Sequence, residues 1–121
     1  MKKLLLVDDE PTNLNLLREI LHEHYQLLFA ISGRDALNAA TKHLPDLILL
    51  DVAMPGMDGY EVCRQLHQNA ATRSIPILFV TALEGEQWPR LSEHPGAVDV
   101  LAKPVERTTV LAHVMTLCPP Q

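Results

Sequence analysis

The sequence predicts an α/β fold in which five parallel strands are covered by helices on both faces. Two observations lead to this prediction. Short apolar segments recur five times along the chain, the fifth of them broken by Asp99, and amphipathic helical patterns separate them. Within these segments polar and apolar residues do not alternate, which is typical of strands buried on both faces of a sheet. Strand–helix units of this length favour parallel strands joined by right-handed crossovers.

The first two units lie in the N-terminal part of the chain. Leu4–Val7 is the first apolar segment, and it stops directly at two aspartates. Pro11 is placed to begin a helix, where its missing N–H is not needed, and a leucine stripe predicts that this helix continues to about His24. Leu27–Ile31 is the second predicted strand, and Ser32 is the predicted N-cap of the second helix.

The other three units follow the same pattern. Apolar segments predict strands three to five at Leu47–Leu50, Ile77–Val80 and Val98–Leu101. Helical stripes follow the third and fifth of these strands, over Tyr60–Leu66 and Val110–Leu117. The chain contains no repeat, linker or low-complexity stretch, so residues 1–121 are interpreted as one domain.

Composition and charge narrow the range of functions. The chain has 121 residues, of which 47% are hydrophobic, so a substantial core can form. Its net charge is −5, from 10 Lys and Arg against 15 Asp and Glu. An acidic domain is a poor candidate for binding nucleic acid or an anionic membrane directly through charge. A cluster of acidic residues favours a cation instead.

Targeting signals and cysteines add two further expectations. No signal peptide is present, and no apolar run approaches the roughly 20 residues of a membrane span, so we expect a cytoplasmic location and no membrane partner. Cys63 and Cys118 match neither a metal spacing nor a disulfide framework. They are predicted to be reduced thiols in or near the core.

Polar side chains follow four of the five predicted strands. Asp8 and Asp9 come after the first strand, Asp51 after the third, Thr81 after the fourth and Lys103 after the fifth. The carboxyl ends of parallel strands lie at one edge of the sheet, where such folds bind their ligands. Each residue alone also has an ordinary interpretation as a helix cap or a solvated lysine. Their joint placement at successive strand ends indicates a functional site.

The residue types at this edge favour phosphoryl chemistry. Three close carboxylates repel one another, and their pKa values rise unless a cation intervenes. Mg²⁺ prefers oxygen ligands and typically binds one or two carboxylates together with phosphate oxygens. The oxygens of a phosphoryl group in transfer need neutralisation, which Mg²⁺, an ammonium and a hydroxyl can supply together. A remaining carboxylate is then free to attack and form an aspartyl phosphate.

These motifs resemble the receiver domains of two-component response regulators, over essentially the whole chain. The matching segments are Val7–Pro11, Leu49–Gly59, Val80–Ala82 and Lys103–Pro104, and the second of these is highly specific. The resemblance implies a flavodoxin-like (βα)5 three-layer sandwich, whose five-stranded parallel sheet has the order 2-1-3-4-5. It also implies a cis peptide bond between Lys103 and Pro104.

The resemblance assigns the acidic residues to phosphorylation and to Mg²⁺. Asp51 resembles the aspartate that becomes phosphorylated. Asp9 resembles the carboxylate that binds Mg²⁺ directly, and Asp8 the one that usually acts through water. Asp51 itself and the backbone carbonyl of Ala53 are the remaining expected metal ligands.

The resemblance also implies roles for the other polar residues and for partners. Lys103 is expected to pair with Asp51 or its phosphoryl group, and Thr81 to turn inward and hydrogen-bond that group. The implied phosphoryl donor is a histidine kinase or a histidine phosphotransfer protein. An attached output domain or a homodimer partner is the implied target. The domain would phosphorylate and dephosphorylate itself and would not be a turnover enzyme on its own.

Two features depart from the family pattern. Val100 stands three residues before Lys103, where receivers commonly carry a mobile Tyr or Phe. A β-branched side chain cannot make the movement of that ring. Pro89 and Pro95 interrupt the region of the usual fourth helix, which is therefore predicted to be short, displaced or absent. Trp88 in this region is either a core anchor or an exposed contact. We therefore expect standard phosphorylation chemistry with an altered readout surface.

Three other functions fit part of the pattern. A phosphatase similar to haloacid dehalogenases also uses an aspartate after a strand, but it needs a second acid two residues later, where Ala53 stands. A pseudo-receiver would bind proteins without being phosphorylated, and the complete set of site residues argues against it. A flavin or dinucleotide binder would need a glycine-rich loop after the first strand, and that loop is absent.

Overall fold

The structure, a computed structural model, describes residues 1–121 and contains one parallel sheet. Its strands are β1 (Lys3–Val7), β2 (Gln26–Ala30), β3 (Leu47–Asp51), β4 (Ile77–Thr81) and β5 (Ala97–Ala102). Its α-helices are α1 (Pro11–Leu21), α2 (Gly33–His43), α3 (Gly59–Gln68) and α4 (Arg107–Leu117). The strand order β2-β1-β3-β4-β5 confirms the predicted topology. The direction of strand addition reverses between β1 and β3, which makes their carboxyl ends the switch point.

The core lies in two layers, one on each side of the sheet. On one side, α1 and α4 pack their apolar stripes against alternate strand residues such as Leu4 and Leu49. On the other side, α2 and α3 pack against the intervening residues, such as Leu5 and Ile48. The strands therefore bury both faces, as their continuous apolar segments predict. Both cysteines are free and buried, as predicted, and none of the helices has the length and apolar character needed to cross a membrane.

Local signals set the ends of the helices. The predicted N-cap of α2 is confirmed, because Ser32 Oγ accepts a hydrogen bond from the backbone N–H of Asp35 at 3.1 Å. The prediction for α1 was wrong at its C-terminus, since the helix ends at Leu21 and not at about His24. A tight turn follows, in which His24 N donates to Leu21 O at 3.1 Å. This turn brings Tyr25 into the core, and its hydroxyl donates to the carbonyl of Cys118.

The connection between β4 and β5 contains no α-helix, which agrees with the prediction from its prolines. It forms two short 3₁₀ turns, Gly85–Gln87 and Leu91–Glu93. Pro89 between them is buried, whereas Trp88 is 38% exposed, so Trp88 is not a core anchor. An open groove of about 680 Å³ lies beside α3, between that helix and residues 93–95 of this connection.

Candidate functional site

The sheet topology brings Asp8, Asp51 and Lys103 into direct contact. Val7 of β1 lies opposite Leu50 of β3, so the aspartates that follow these two residues lie side by side. Lys103, just beyond β5, places its Nζ 2.8 Å from Asp8 Oδ2 and 3.2 Å from Asp51 Oδ1. The ammonium therefore lies between two carboxylates. The contact of Lys103 with Asp51 was expected from the family resemblance, whereas its contact with Asp8 was not.

Asp9 completes a cluster of three carboxylates. One oxygen from each of Asp8, Asp9 and Asp51 lies within 4.8 Å of the others. Asp8 and Asp51 are buried, whereas Asp9 is half-buried at the mouth of the cluster. The backbone N–H of Glu10 donates to Asp8 Oδ1 at 2.9 Å and holds that carboxylate in place. Converging carboxylate oxygens that are partly open to solvent form a donor set that fits Mg²⁺.

The surroundings of Asp51 disfavour its charged form. Burial raises the pKa of the Asp51 carboxyl to about 6, and the neighbouring charge of Asp8 adds to the rise. The charge and hydrogen bond of Lys103 act in the opposite direction but do not cancel these effects. In the metal-free protein, ionising Asp51 therefore costs more free energy than ionising an aspartate in water. A bound cation would reduce that cost.

Lys103 stays charged between the two aspartates. Burial by itself lowers the pKa of its ammonium, but the hydrogen bond to Asp8 and the charges of Asp51 and Asp8 outweigh burial, so the pKa is raised. The backbone N–H of Lys103 donates to Thr81 O at 2.8 Å, which extends the pairing of β4 with β5 up to the site. The peptide bond from Lys103 to Pro104 is cis, as the resemblance implied.

Thr81 and Ala53 lie at the same edge of the sheet. Thr81 is fully buried at the end of β4, and its Oγ1 accepts a hydrogen bond from Leu83 N at 3.1 Å. The hydroxyl thus caps the loop after β4 in this structure, and its expected bond to a phosphoryl group stays a prediction. Ala53 is exposed in the loop that follows β3. The predicted role of its carbonyl as a metal ligand likewise stays a prediction.

Gly59 is a residue of the site that received no role of its own in the sequence analysis, although it ends the matching family segment Leu49–Gly59. A Cβ at this position would lie 2.3 Å from the carbonyl oxygen of Asp51 and 2.8 Å from Cα of Val52. The backbone N–H of Gly59 also donates to Val52 O at 2.8 Å. The first residue of α3 therefore packs directly on the peptide that carries Asp51. The sequence signal, Asp58-Gly59, is that of any turn, and it does not reveal this close approach.

Comparison with known proteins decides the family. A model described as the response regulator receiver domain matches residues 4–115. This chain belongs to that family. The response regulator PleD of Caulobacter vibrioides is 42% identical over 116 residues, which is 95% of this chain but 26% of PleD. This receiver domain thus spans about a quarter of the length of that relative. Protein PilH of Pseudomonas aeruginosa is 38% identical over 112 residues, which cover 92% of this chain and 93% of PilH.

Solved structures agree with this assignment. The chemotaxis response regulator CheY4 of Vibrio cholerae superposes on the receiver domain with a TM-score of 0.89 at 30% identity, covering 97% of this chain and 98% of that one. The receiver domain of the sensor histidine kinase PA1611 from Pseudomonas aeruginosa gives a TM-score of 0.84 at 29% identity, with 96% of each chain covered. That structure has a magnesium ion coordinated in its active-site cleft.

We expect the metal-free receiver domain to lose stability as the pH rises from about 4 to about 6. The pKa of Asp51 is about 6 in the folded state, above its ordinary value of 3.8, so the folded state binds the extra proton. This contribution is fully present below the unfolded pKa and is lost as the pH rises through the folded pKa. At pH 7, Asp51→Asn should therefore be more stable than the wild type by up to about 3 kcal/mol.

Urea unfolding in the presence of a chelator, at several pH values, measures this difference. Glu23→Gln is the matched control, because Glu23 is exposed and far from the site in sequence. The control should follow the wild-type pH profile, whereas Asp51→Asn should show a flatter one. An Asp51→Asn profile as steep as that of the wild type would contradict the prediction.

Proposed function

We propose that this receiver domain accepts a phosphoryl group on Asp51 in a Mg²⁺-dependent reaction. The observation that carries the proposal is the contact of one ammonium, Lys103 Nζ, with both Asp8 and Asp51 at the edge where Asp9 completes the acidic cluster. An ordinary structural ion pair needs one acid for one base. Here three acids face one lysine, which leaves negative charge that favours a divalent cation.

The residues of the chain would contribute to the transfer as follows. A carboxylate oxygen of Asp51 attacks phosphorus, a new P–O bond forms, and the bond from phosphorus to the donor's leaving group breaks with its electron pair. Because Lys103 contacts Oδ1, we expect the other oxygen, Oδ2, to attack. Lys103 then neutralises charge on the transferred group, and the Thr81 hydroxyl leaves Leu83 N to donate to a phosphoryl oxygen.

Asp8, Asp9 and Asp51, with the carbonyl of Ala53, would hold the metal. When bound, Mg²⁺ offsets the mutual repulsion of the carboxylates and draws negative charge from the phosphoryl oxygens. The raised pKa of Asp51 is consistent with a site in which a bound cation would stabilise the ionised nucleophile. The magnesium ion in the cleft of the PA1611 receiver supports the same assignment here.

We further propose that the phosphoryl donor is a histidine kinase or a histidine phosphotransfer protein. Membership of the response regulator family supports this class of donor. The domain would act as an acceptor that changes state and not as a turnover enzyme. Its target would be an attached output domain or another protein.

Intact-mass measurement with a small donor tests the proposal. The wild type, incubated with Mg²⁺ and acetyl phosphate, should gain the mass of one phosphoryl group. Asp51→Asn and a chelator-treated wild-type sample should gain none. If the wild type gains no mass under any of these conditions, the domain is a pseudo-receiver that binds its partners without phosphorylation, and the proposal is wrong.

A further inference from the structure

The helix α3 connects the acidic cluster to the irregular segment between β4 and β5. At one end of the connection, Gly59 packs on the backbone of Asp51 and Val52, closely enough that no side-chain carbon fits between them. The hydrogen bond from Gly59 N to Val52 O ties the same two segments together. A shift of the Asp51–Val52 peptide would therefore displace the N-terminus of α3, because close-packed interiors do not absorb such a shift.

At the other end, α3 contacts the segment just before β5. The ring of Tyr60 stacks on the ring of His94, with centroids 4.1 Å apart and planes 5° from parallel. One turn further along, Cys63 Sγ donates to the carbonyl of Pro95 at 3.6 Å. The next turn places His67 against Gly96, where an added Cβ would lie 3.7 Å from Nδ1. Residues 94–96 thus lie along one flank of α3.

Phe79 forms the base on which this contact rests. It is fully buried in β4, and its ring meets both Tyr60 and His94 edge to face, with centroid distances of 5.5 Å. Phe79 also lies opposite Leu50, the residue before Asp51, in the neighbouring strand. The aromatic contact, defined here as Tyr60, Phe79 and His94, is therefore linked to Asp51 in two ways. Phe79 pairs with the residue before Asp51, and Tyr60 follows Gly59, which packs on Asp51.

The segment that receives this contact has little else to hold it. Residues 84–88 and 90–93 are exposed, and they form only two short 3₁₀ turns. Segments with few buried contacts open and move more readily than the core does. Apart from the buried Pro89, the position of this segment then depends on the contacts of residues 94–96, which include the aromatic contact.

Residue 100 cannot provide the same connection. Val100 is half-buried in β5 opposite Phe79, and its branched side chain has a restricted χ1 angle. It therefore lacks a ring that could move between buried and exposed positions.

We propose that the aromatic contact transmits the phosphorylation state of Asp51 to residues 84–96 and changes the groove beside α3. This inference rests on the phosphorylation proposed above. The phosphoryl group adds negative charge at Asp51, and the Asp51–Val52 backbone and the N-terminus of α3 move with it. Tyr60 then carries His94 and Pro95 along, and small shifts at packed contacts become larger ones in the loosely held segment.

Amide NMR together with intact mass tests the proposal on the same samples. Trp88, the only tryptophan, supplies an indole N–H within the segment, and Gly96 supplies an amide beside α3. Spectra of the ¹⁵N-labelled domain with Mg²⁺ are compared before and after acetyl phosphate is added. The wild type should show phosphorylation-dependent shifts at both reporters.

Four variants test whether the signal passes through the aromatic contact or through Val100. Tyr60→Leu and His94→Ala each remove the ring stacking from one side, so either one serves if the other does not fold. Tyr60→Phe retains the ring, and Val100→Ala alters the alternative route. All four should gain the phosphoryl mass. The shifts at both reporters should persist in Tyr60→Phe and Val100→Ala and should be lost in Tyr60→Leu and His94→Ala.

The other outcomes overturn the proposal in distinguishable ways. If Tyr60→Leu and His94→Ala keep the wild-type shifts, or if Val100→Ala loses them, the signal does not pass through the aromatic contact. The same conclusion holds if the wild type gains the phosphoryl mass but neither reporter moves. If the wild type gains no mass, the proposed function fails and the inference fails with it.

Discussion

Replacing Lys103 with methionine is expected to destabilise the metal-free receiver domain by about 3 kcal/mol at pH 7. The Lys103 side chain is 15% exposed, and those of Asp8 and Asp51 are 3% and 5% exposed, so this is a buried cluster and not a surface ion pair. Without the ammonium, two buried carboxylates face each other. Protonation of Asp51, whose pKa is already raised to about 6, limits the cost.

Magnesium should restore more stability to Lys103→Met than to the wild type, because the cation then supplies the missing positive charge. Urea unfolding with and without Mg²⁺ measures both effects. Lys42→Met is the matched control, since Lys42 is exposed in the last turn of α2, and its stability should stay within about 0.5 kcal/mol of wild type. We also expect Lys103→Met to lose most of its phosphoryl acceptance. A metal-free variant as stable as the wild type would show that the cluster does not need the ammonium.

Replacing Gly59 with alanine is expected to cost about 3 kcal/mol of stability and to impair phosphorylation. Alanine ordinarily stabilises a helical position relative to glycine, by up to about 1 kcal/mol. At Gly59 the added Cβ would lie 2.3 Å from the carbonyl oxygen of Asp51, which is backbone and cannot rotate away. Either α3 or the backbone of the phosphorylation site must then move, so the steric cost outweighs the helical gain.

Gly33→Ala is a close control, because Gly33 is the first residue of α2 as Gly59 is of α3. The nearest atoms to an added Cβ at Gly33 belong to the side chain of Met57, with its Cβ at 2.8 Å. Because Cβ of Met57 does not move when the side chain rotates, Gly33→Ala should also lose stability, but the clash leaves the backbone of Asp51 untouched, so we expect normal phosphorylation. Thermal unfolding and intact mass after acetyl phosphate treatment compare the two variants. Equal loss of phosphorylation in both variants would mean that the contact with Asp51 is not the cause.

The sequence by itself determined the fold class and most of the candidate site, whereas the strand order was implied by the family resemblance. Strands buried on both faces need continuous apolar segments, so residues such as Leu47–Leu50 identify β3 without a structure. Parallel strands share one carboxyl edge, so the polar residues that end them, including Asp8, Asp51 and Lys103, could be expected to meet. Proline is incompatible with a helix interior, so the missing helix before β5 was also predictable.

Only the tertiary structure decided which atoms of these residues are in contact. Local patterns do not encode distances between segments far apart in the chain, so the second contact of Lys103, to Asp8, was not evident. The approach of Gly59 to Asp51 and the stacking of Tyr60 on His94 are likewise invisible to periodicity. A helical stripe also cannot mark where α1 stops, because burial of Tyr25 overrides it. The order of strands and polar residues in the sequence specifies which residues reach the site. Side-chain packing determines which of those residues contact one another.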